Sequence, residues 1–224
     1  MKLETVKYKY AVIATDTIIF TLREQELKVL LIKMKKAPFE NCWAAPGGLV
    51  RGDESLGDAA ERNLYETTGV KDVYLEQLYT FGRVDRDPFG RVVSVSYFAL
   101  IPSADVKLKT TDAYEAVRWF GVSRLPQLSY DHAEMIPYAL DRLKAKLEYT
   151  NIAFSLLEDE FTLGELQQCY EVILDRKLDK RNFRKKIKSL NMVASTGHRR
   201  TGQACRPAML YRFCNRNYQV VQIL

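Results

Sequence analysis

Five side chains between Gly47 and Val70 combine types and spacing that carry chemistry: Glu54, Arg62, Asn63, Glu66 and Thr67. A helix brings positions i, i+3 and i+4 onto one face, so residues 63, 66 and 67 gather an amide, a carboxylate and a hydroxyl at one place. Of the three, only Glu66 carries a charge. Arg62 and Glu66 also stand four apart, the spacing of an intrahelical ion pair. Asn63 and Thr67 fall within the apolar stripe that Leu56, Ala59, Ala60 and Leu64 form at about 100° per residue. Polar groups facing inward need partners there.

The elements that must position these groups are legible around them. Gly47 and Gly48 free the backbone for a tight turn or a close approach to a ligand. Ser55 with Asp58 is a variant of the pair that starts a helix, and Gly69 supplies its stop. The frame of a glycine, five residues, Glu54, seven residues, Arg62, then Leu64, Glu66, Gly69 and Val70 resembles the signature of the Nudix hydrolase family. That family's box continues its arginine with acids where Asn63 and Thr67 stand here, and the resemblance implies that those acids hold magnesium against a diphosphate. With Glu66 left alone, metal binding is expected to be weak at most, no cofactor is required, and catalysis is not expected. Glu54 and Arg62 are then supports of the loop and helix.

Before the box, Tyr10–Phe20 and Leu27–Met34 read as an antiparallel hairpin. After it, Val73–Arg83 and Arg91–Pro102 are strands joined by the turn residues of 84–90. Glu115–Phe120 is a short strand, and His132–Leu147 has helical periodicity. This order implies an α/β (α+β) fold, a mixed sheet with a helix on each side, and with the box it resembles the Nudix α/β/α sandwich over residues 8–148. The loop VDRDPFGR, holding Asp85, Arg86, Asp87 and Arg91, reads either as a solvated turn whose charges pair locally or as a loop that senses ligand or contacts the basic C-terminal unit. His132 is expected to cap or pack.

The chain has 224 residues, 47% of them hydrophobic, enough for one large or two smaller domains. No apolar run approaches the ~18 residues of a membrane span, so a cytoplasmic protein is expected. Cys42, Cys169, Cys205 and Cys214 form no CxxC pair and fit neither a disulfide scaffold nor a zinc ribbon. The net charge of +6 is uneven: residues 151–224 account for all of it, with 13 Lys and Arg against 7 Asp and Glu. Such asymmetry points to an anionic polymer or surface.

The pattern changes at residues 148–160, dividing the chain into 1–150 and 151–224. Thr162 with Glu165 is a capping box for a helix over Leu163–Leu174, with Leu163, Leu166, Tyr170, Ile173 and Leu174 on its apolar face. Asp179 caps a second helix to Leu190, which turns Phe183, Ile187 and Leu190 inward. Its remaining faces carry Lys180, Arg181, Asn182, Arg184, Lys185 and Lys188, suited to phosphates or base edges. Met192–Ala194 and Met209–Phe213 pair as strands around a basic loop, Ser195–Pro207, containing His198, Arg199 and Arg200. That is the order of a winged helix-turn-helix.

A Nudix domain with a damaged box followed by a winged helix resembles the Nudix-related transcriptional regulators, and the stretch Tyr74–Ile101 resembles them too. The resemblance implies a homodimeric repressor on double-stranded operator DNA, with a metabolite effector in the Nudix cleft: ADP-ribose, a related nucleotide of NAD metabolism, or a sugar. Residues expected at that effector are Trp43, Gly47, Gly48 and Arg51, with Arg62, Glu66, Arg83 and Tyr97. Two other readings remain: a working pyrophosphohydrolase of ADP-ribose or another nucleoside diphosphate, with Glu61 or an acid of the 85–87 loop completing the metal site, and an RNA-binding module.

Overall fold

Alternation in the first long strand sets up both faces of the molecule. In β1 (Val12–Arg23), Ile18 and Phe20 point to one side and Ile19 to the other, and all three are fully buried. The structure, a computed structural model, describes residues 10–69, 71–102, 108, 114–200 and 207–223. Strand β2 (Glu26–Met34) returns antiparallel to β1 through a two-residue turn, Glu24 and Gln25, both in the left-handed region at φ 53° and 60°. The short strands β3 (Trp43–Ala44) and β4 (Gly47–Leu49) lead into helix α1 (Leu56–Thr68). Strands β5 (Tyr74–Phe81), β6 (Val92–Leu100) and β7 (Tyr114–Gly121) then complete a seven-stranded sheet, ordered β3-β2-β1-β6-β5 with β4 paired to β1 and β7 to β2. The β1–β6 pairing is parallel and the others antiparallel, giving the mixed sheet the sequence implies.

Helix α1 covers one face, where Leu64 packs with Ile19, Leu30 and Ala99, and Ala60 with Val95 and Tyr97. Helix α2 (His132–Tyr149) covers the other through Met135, Ile136, Ala139, Leu143 and Leu147. Both ends of α1 form as expected: Ser55 and Asp58 make a reciprocal capping box, and Gly69 closes the helix at φ 70°.

After α2 come a 3-10 turn (Ile152–Ser155), β8 (Phe161–Thr162), α3 (Leu163–Leu174), α4 (Lys180–Ser189), β9 (Val193–Arg200) and β10 (Ala208–Phe213). The strands form a second sheet in the order β8-β10-β9. Thr162 with Glu165 caps α3, and Asp179 accepts the Asn182 N–H (2.7 Å) to cap α4. The result is a winged helix, with three corrections to the sequence reading. Ser195–Arg200, read as loop, is paired strand, and 201–206 lie outside the described residues. A register shift lies between Met209 and Tyr211, so of the expected Met209, Tyr211, Phe213 face the last two pack on the core, while Leu210 is buried opposite Thr162. Cys169, not assigned to the apolar face of α3, is fully buried there, while Leu174 is half-buried.

The apolar core does not stop at residue 150. One cluster runs from Ile18, Phe98 and Leu143 through Ile152 and Leu156 to Leu166, Tyr170, Ile187 and Phe213. The segment after β10 returns to α2: Val221 N–H bonds the Tyr149 carbonyl and Ile223 N–H that of Glu148, both at 2.8 Å. Asn151 holds the same segment by donating to the Asn217 carbonyl (2.9 Å) and accepting from the Gln219 N–H (2.8 Å). Tyr218 lies over Lys146, which is buried and paired with Glu76 of β5 at 2.7 Å. Among the described residues no helix is long and apolar enough to cross a membrane.

Candidate functional site

The box residues close upon one another. Arg62 grips Glu54 with Nη2 (2.7 Å) and Nε (2.9 Å), and the Arg51 N–H reaches the same carboxylate at 2.8 Å. The Arg62 bond, then that N–H, pull the Glu54 carboxyl down to about 2. Asn63 is buried; its amide nitrogen donates to Thr15 Oγ1 (2.9 Å) and its oxygen accepts from Arg62 (2.9 Å). The Thr67 hydroxyl donates to the Asn63 carbonyl at 2.7 Å. Glu66 stands half exposed between Arg62 (3.5 Å) and Arg51 (3.7 Å). One carboxylate flanked by two guanidiniums, beside an amide and a hydroxyl already committed, does not fit a magnesium ion. Among the described residues no three His, Cys, Asp or Glu side chains gather in a way that could hold a metal ion.

A cavity of about 420 Å³ opens beside the box, between the start of β1, the Ala44–Leu49 turn, the loop after β5 and the start of α2. That volume is in the range of small-molecule sites, about 300–1,000 Å³. Its floor is a buried ionic cluster. Arg86 donates to both oxygens of Asp131 (2.9 and 2.8 Å) and to Asp16 Oδ2 at 3.3 Å. Ser94 donates to the same Asp16 oxygen at 2.6 Å. The Ala45 N–H donates to His132 Nδ1 (3.0 Å), which leaves the imidazole proton on Nε2, 3.6 Å from Asp16 Oδ1. Burial alone would raise the Asp16 carboxyl; His132, Ser94 and Arg86 outweigh it and hold the group below the usual carboxylate value. Gly47 is required by this packing, because a Cβ there would lie 2.1 Å from Asp16 Oδ1.

Of the expected effector residues, Gly47 and Gly48 line this cavity. Trp43 is instead a core residue, edge-on to Phe120 at 4.6 Å. Tyr97 packs under α1 against Ala60 and Val95. Arg62 and Glu66 serve the box, Arg51 is exposed beside them, and Arg83 pairs with Glu134 (2.8 Å) and Asp85 (3.3 Å). The walls include Asp16, Tyr114, Tyr130 and His132, which the sequence did not assign to an effector, and Phe89 and Arg91 of the loop that one reading made ligand-sensing. The loop divides between its two readings: Asp85 pairs locally with Arg83, while Arg86 is buried at the cavity floor. The one sequence signal for Asp16 is a lone acid inside the apolar run Ala11–Phe20.

On the winged helix, α4 buries Phe183 and Ile187 and exposes Lys180, Arg181, Asn182, Lys185 and Lys188. His198 and Arg199 are exposed on β9. Two expected DNA residues face elsewhere: Arg200 pairs with Glu165 and donates to the Glu160 carbonyl (3.2 Å), and Arg184 is half-buried. Exposed cations on a capped helix beside a two-stranded wing form a surface that meets a phosphate backbone.

Comparison with known proteins agrees with both halves. Residues 13–139 match the NUDIX domain and residues 153–213 the NrtR DNA-binding winged helix domain. The chain is similar to the ADPR responsive transcriptional repressor NtrR of Acinetobacter baylyi, 36% identical over 215 residues, covering 94% of this chain and 85% of that protein. It is also similar to the crystal structure of Shewanella oneidensis NrtR complexed with a 27mer DNA, with TM-score 0.77 and 33% identity, covering 90% of this chain and 93% of that one. The NUDIX domain of the same protein complexed with ADP ribose matches at TM-score 0.55 and 35% identity, over 61% of this chain and 90% of that one. With a Nudix sheet whose box is closed on itself, a winged helix continuous with its core, and relatives that share both along nearly the whole chain, the protein belongs to the NrtR family of Nudix-related transcriptional regulators.

Proposed function

We propose that the protein is a cytoplasmic repressor that holds operator DNA through α4 and the β9–β10 wing and releases it when ADP-ribose occupies the cavity above Asp16. One observation carries the reading: the Asn63 amide and Thr67 hydroxyl of the box are committed to Thr15 of β1 and to the helix itself, while a cavity of about 420 Å³ stands open beside them. In this reading the pocket binds its ligand without the metal-activated water that diphosphate hydrolysis draws on. Two copies act on a pseudo-palindromic operator, as two-fold symmetry in a DNA-bound dimer requires. Effector and operator affinity are coupled reciprocally, so ADP-ribose weakens DNA binding by the factor that DNA weakens ADP-ribose binding.

The test is a fluorescence-anisotropy titration of promoter DNA from the gene's own neighbourhood, with and without ADP-ribose. Specific binding that falls as ADP-ribose is added is expected, with no phosphate release in magnesium. Absence of specific DNA binding would sink the repressor reading; binding indifferent to ADP-ribose would sink the effector.

A further inference from the structure

The cavity floor is chemically one-sided. Asp16 and Asp131 bring two negative charges, Arg86 brings one positive, and His132 faces the pair with Nδ1 occupied by the Ala45 N–H. Asp16 Oδ2 is satisfied by Ser94 and Arg86. Oδ1 is different: its near neighbours are the bare Cα of Gly47 and, at 3.6 Å, His132 Nε2, both residues of the cavity wall. A carboxylate oxygen so placed is acceptor-only and already desolvated, so what meets it must donate. A diphosphate is repelled there. An adenine edge presents its amino donor beside a ring-nitrogen acceptor, a poor match for an anion. Neighbouring sugar hydroxyls present donors alone. The cation suited to the phosphates is on another wall: Arg91 donates to the carbonyls of Arg83 (3.0 Å) and Val92 (3.5 Å), with no ion pair to a carboxylate among the described residues.

We propose that Asp16 is the specificity residue of the effector site, accepting hydroxyls of the terminal sugar of a nucleoside diphosphate sugar and so selecting it over the free nucleoside diphosphate. The inference rests on the effector reading above and goes further, in fixing which end of the ligand enters the floor. His132, Ser94 and Arg86 act as positioning groups that hold the carboxylate ionised, and the missing side chain at Gly47 leaves Oδ1, met at 3.6 Å by His132 Nε2, with acceptor capacity to spare.

Calorimetric titration of the full chain with ADP-ribose and with ADP, for wild type and Asp16→Asn, separates the possibilities. The wild type is expected to prefer ADP-ribose, and Asp16→Asn to lose roughly tenfold to a hundredfold in ADP-ribose affinity, the size of a hydrogen bond to a charged group, while ADP binding changes less than about twofold. Equal losses for both ligands, or none, would overturn the assignment and leave the effector reading standing. No binding of ADP-ribose to the wild type would overturn both. Should Asp16→Asn not fold, as judged by circular dichroism, Ser94→Ala keeps the charge and loosens its anchor. A selective weakening toward ADP-ribose is then expected, and a wild type that does not distinguish the two ligands overturns the assignment without any variant.

Discussion

Asparagine at position 63 uses its two ends differently, and that is why a box with this spacing holds itself shut. Its nitrogen donates into β1 at Thr15 while its oxygen takes a bond from Arg62. Asn63→Asp keeps the shape but sets an acceptor against the Thr15 carbonyl and forces the Thr15 hydroxyl to turn and donate, and the expected loss is about 1–3 kcal/mol in urea denaturation. Glu54 makes a pH prediction. Its folded value of about 2 lies below the ordinary carboxylate value, so its bonds to Arg62 and the Arg51 N–H stabilise the fold fully above the unfolded value. That contribution is lost as pH falls through roughly 5 to 2. Denaturation midpoints across that window should fall less steeply in Glu54→Gln than in wild type. At this scale the sequence disclosed the box, whose members lie within a few turns of one helix. It did not disclose the floor of the cavity, because Asp16, Arg86 and Asp131 come together only when β1, the loop after β5 and the start of α2 are folded against each other. Trp43 and Tyr97 misled for a related reason: an aromatic side chain packs in a core as readily as it stacks on a ligand, and the packing partners Phe120 and Ala60 are remote in sequence.

Elements with local signals were legible and those defined by their partners were not. The caps at Ser55, Thr162 and Asp179 announced three helices, because a cap is a bond between neighbours. Strand β8, two residues long, has no periodicity to read. The basic part of β9 looked like a loop because its charges face water; only pairing with β10 makes it strand. The placement of the cations then separates two kinds of arginine and lysine. Removing Lys185 or Arg181, exposed on α4, should lower the slope of log affinity against log salt by roughly 0.9 for each phosphate no longer neutralised. Arg200→Gln should leave that slope unchanged and lower thermal stability instead, since Arg200 ties the wing to Glu165 at the start of α3.

At the scale of the molecule, the expected division at residue 150 falls at the end of α2, but the apolar cluster crosses it without a break. A single calorimetric unfolding transition is therefore expected. Deleting residues 215–224 removes the bonds to Tyr149, Glu148 and Asn151 and the Tyr218–Lys146 stacking, and should lower the midpoint and split the transition in two. A single unshifted transition after deletion would show that the returning segment contributes nothing. An open cleft of about 670 Å³ separates the far end of α3 from the β1–β2 turn and α2, so the two halves touch along one side and gap along the other. The chain crosses between them twice at the closed side, at Thr150 and Asn151 and again in the segment that pairs Val220 with Thr150. Two chain crossings side by side, where one would suffice for connectivity, fasten the winged helix to the end of α2 at two points, so twisting about either backbone alone is blocked by the other.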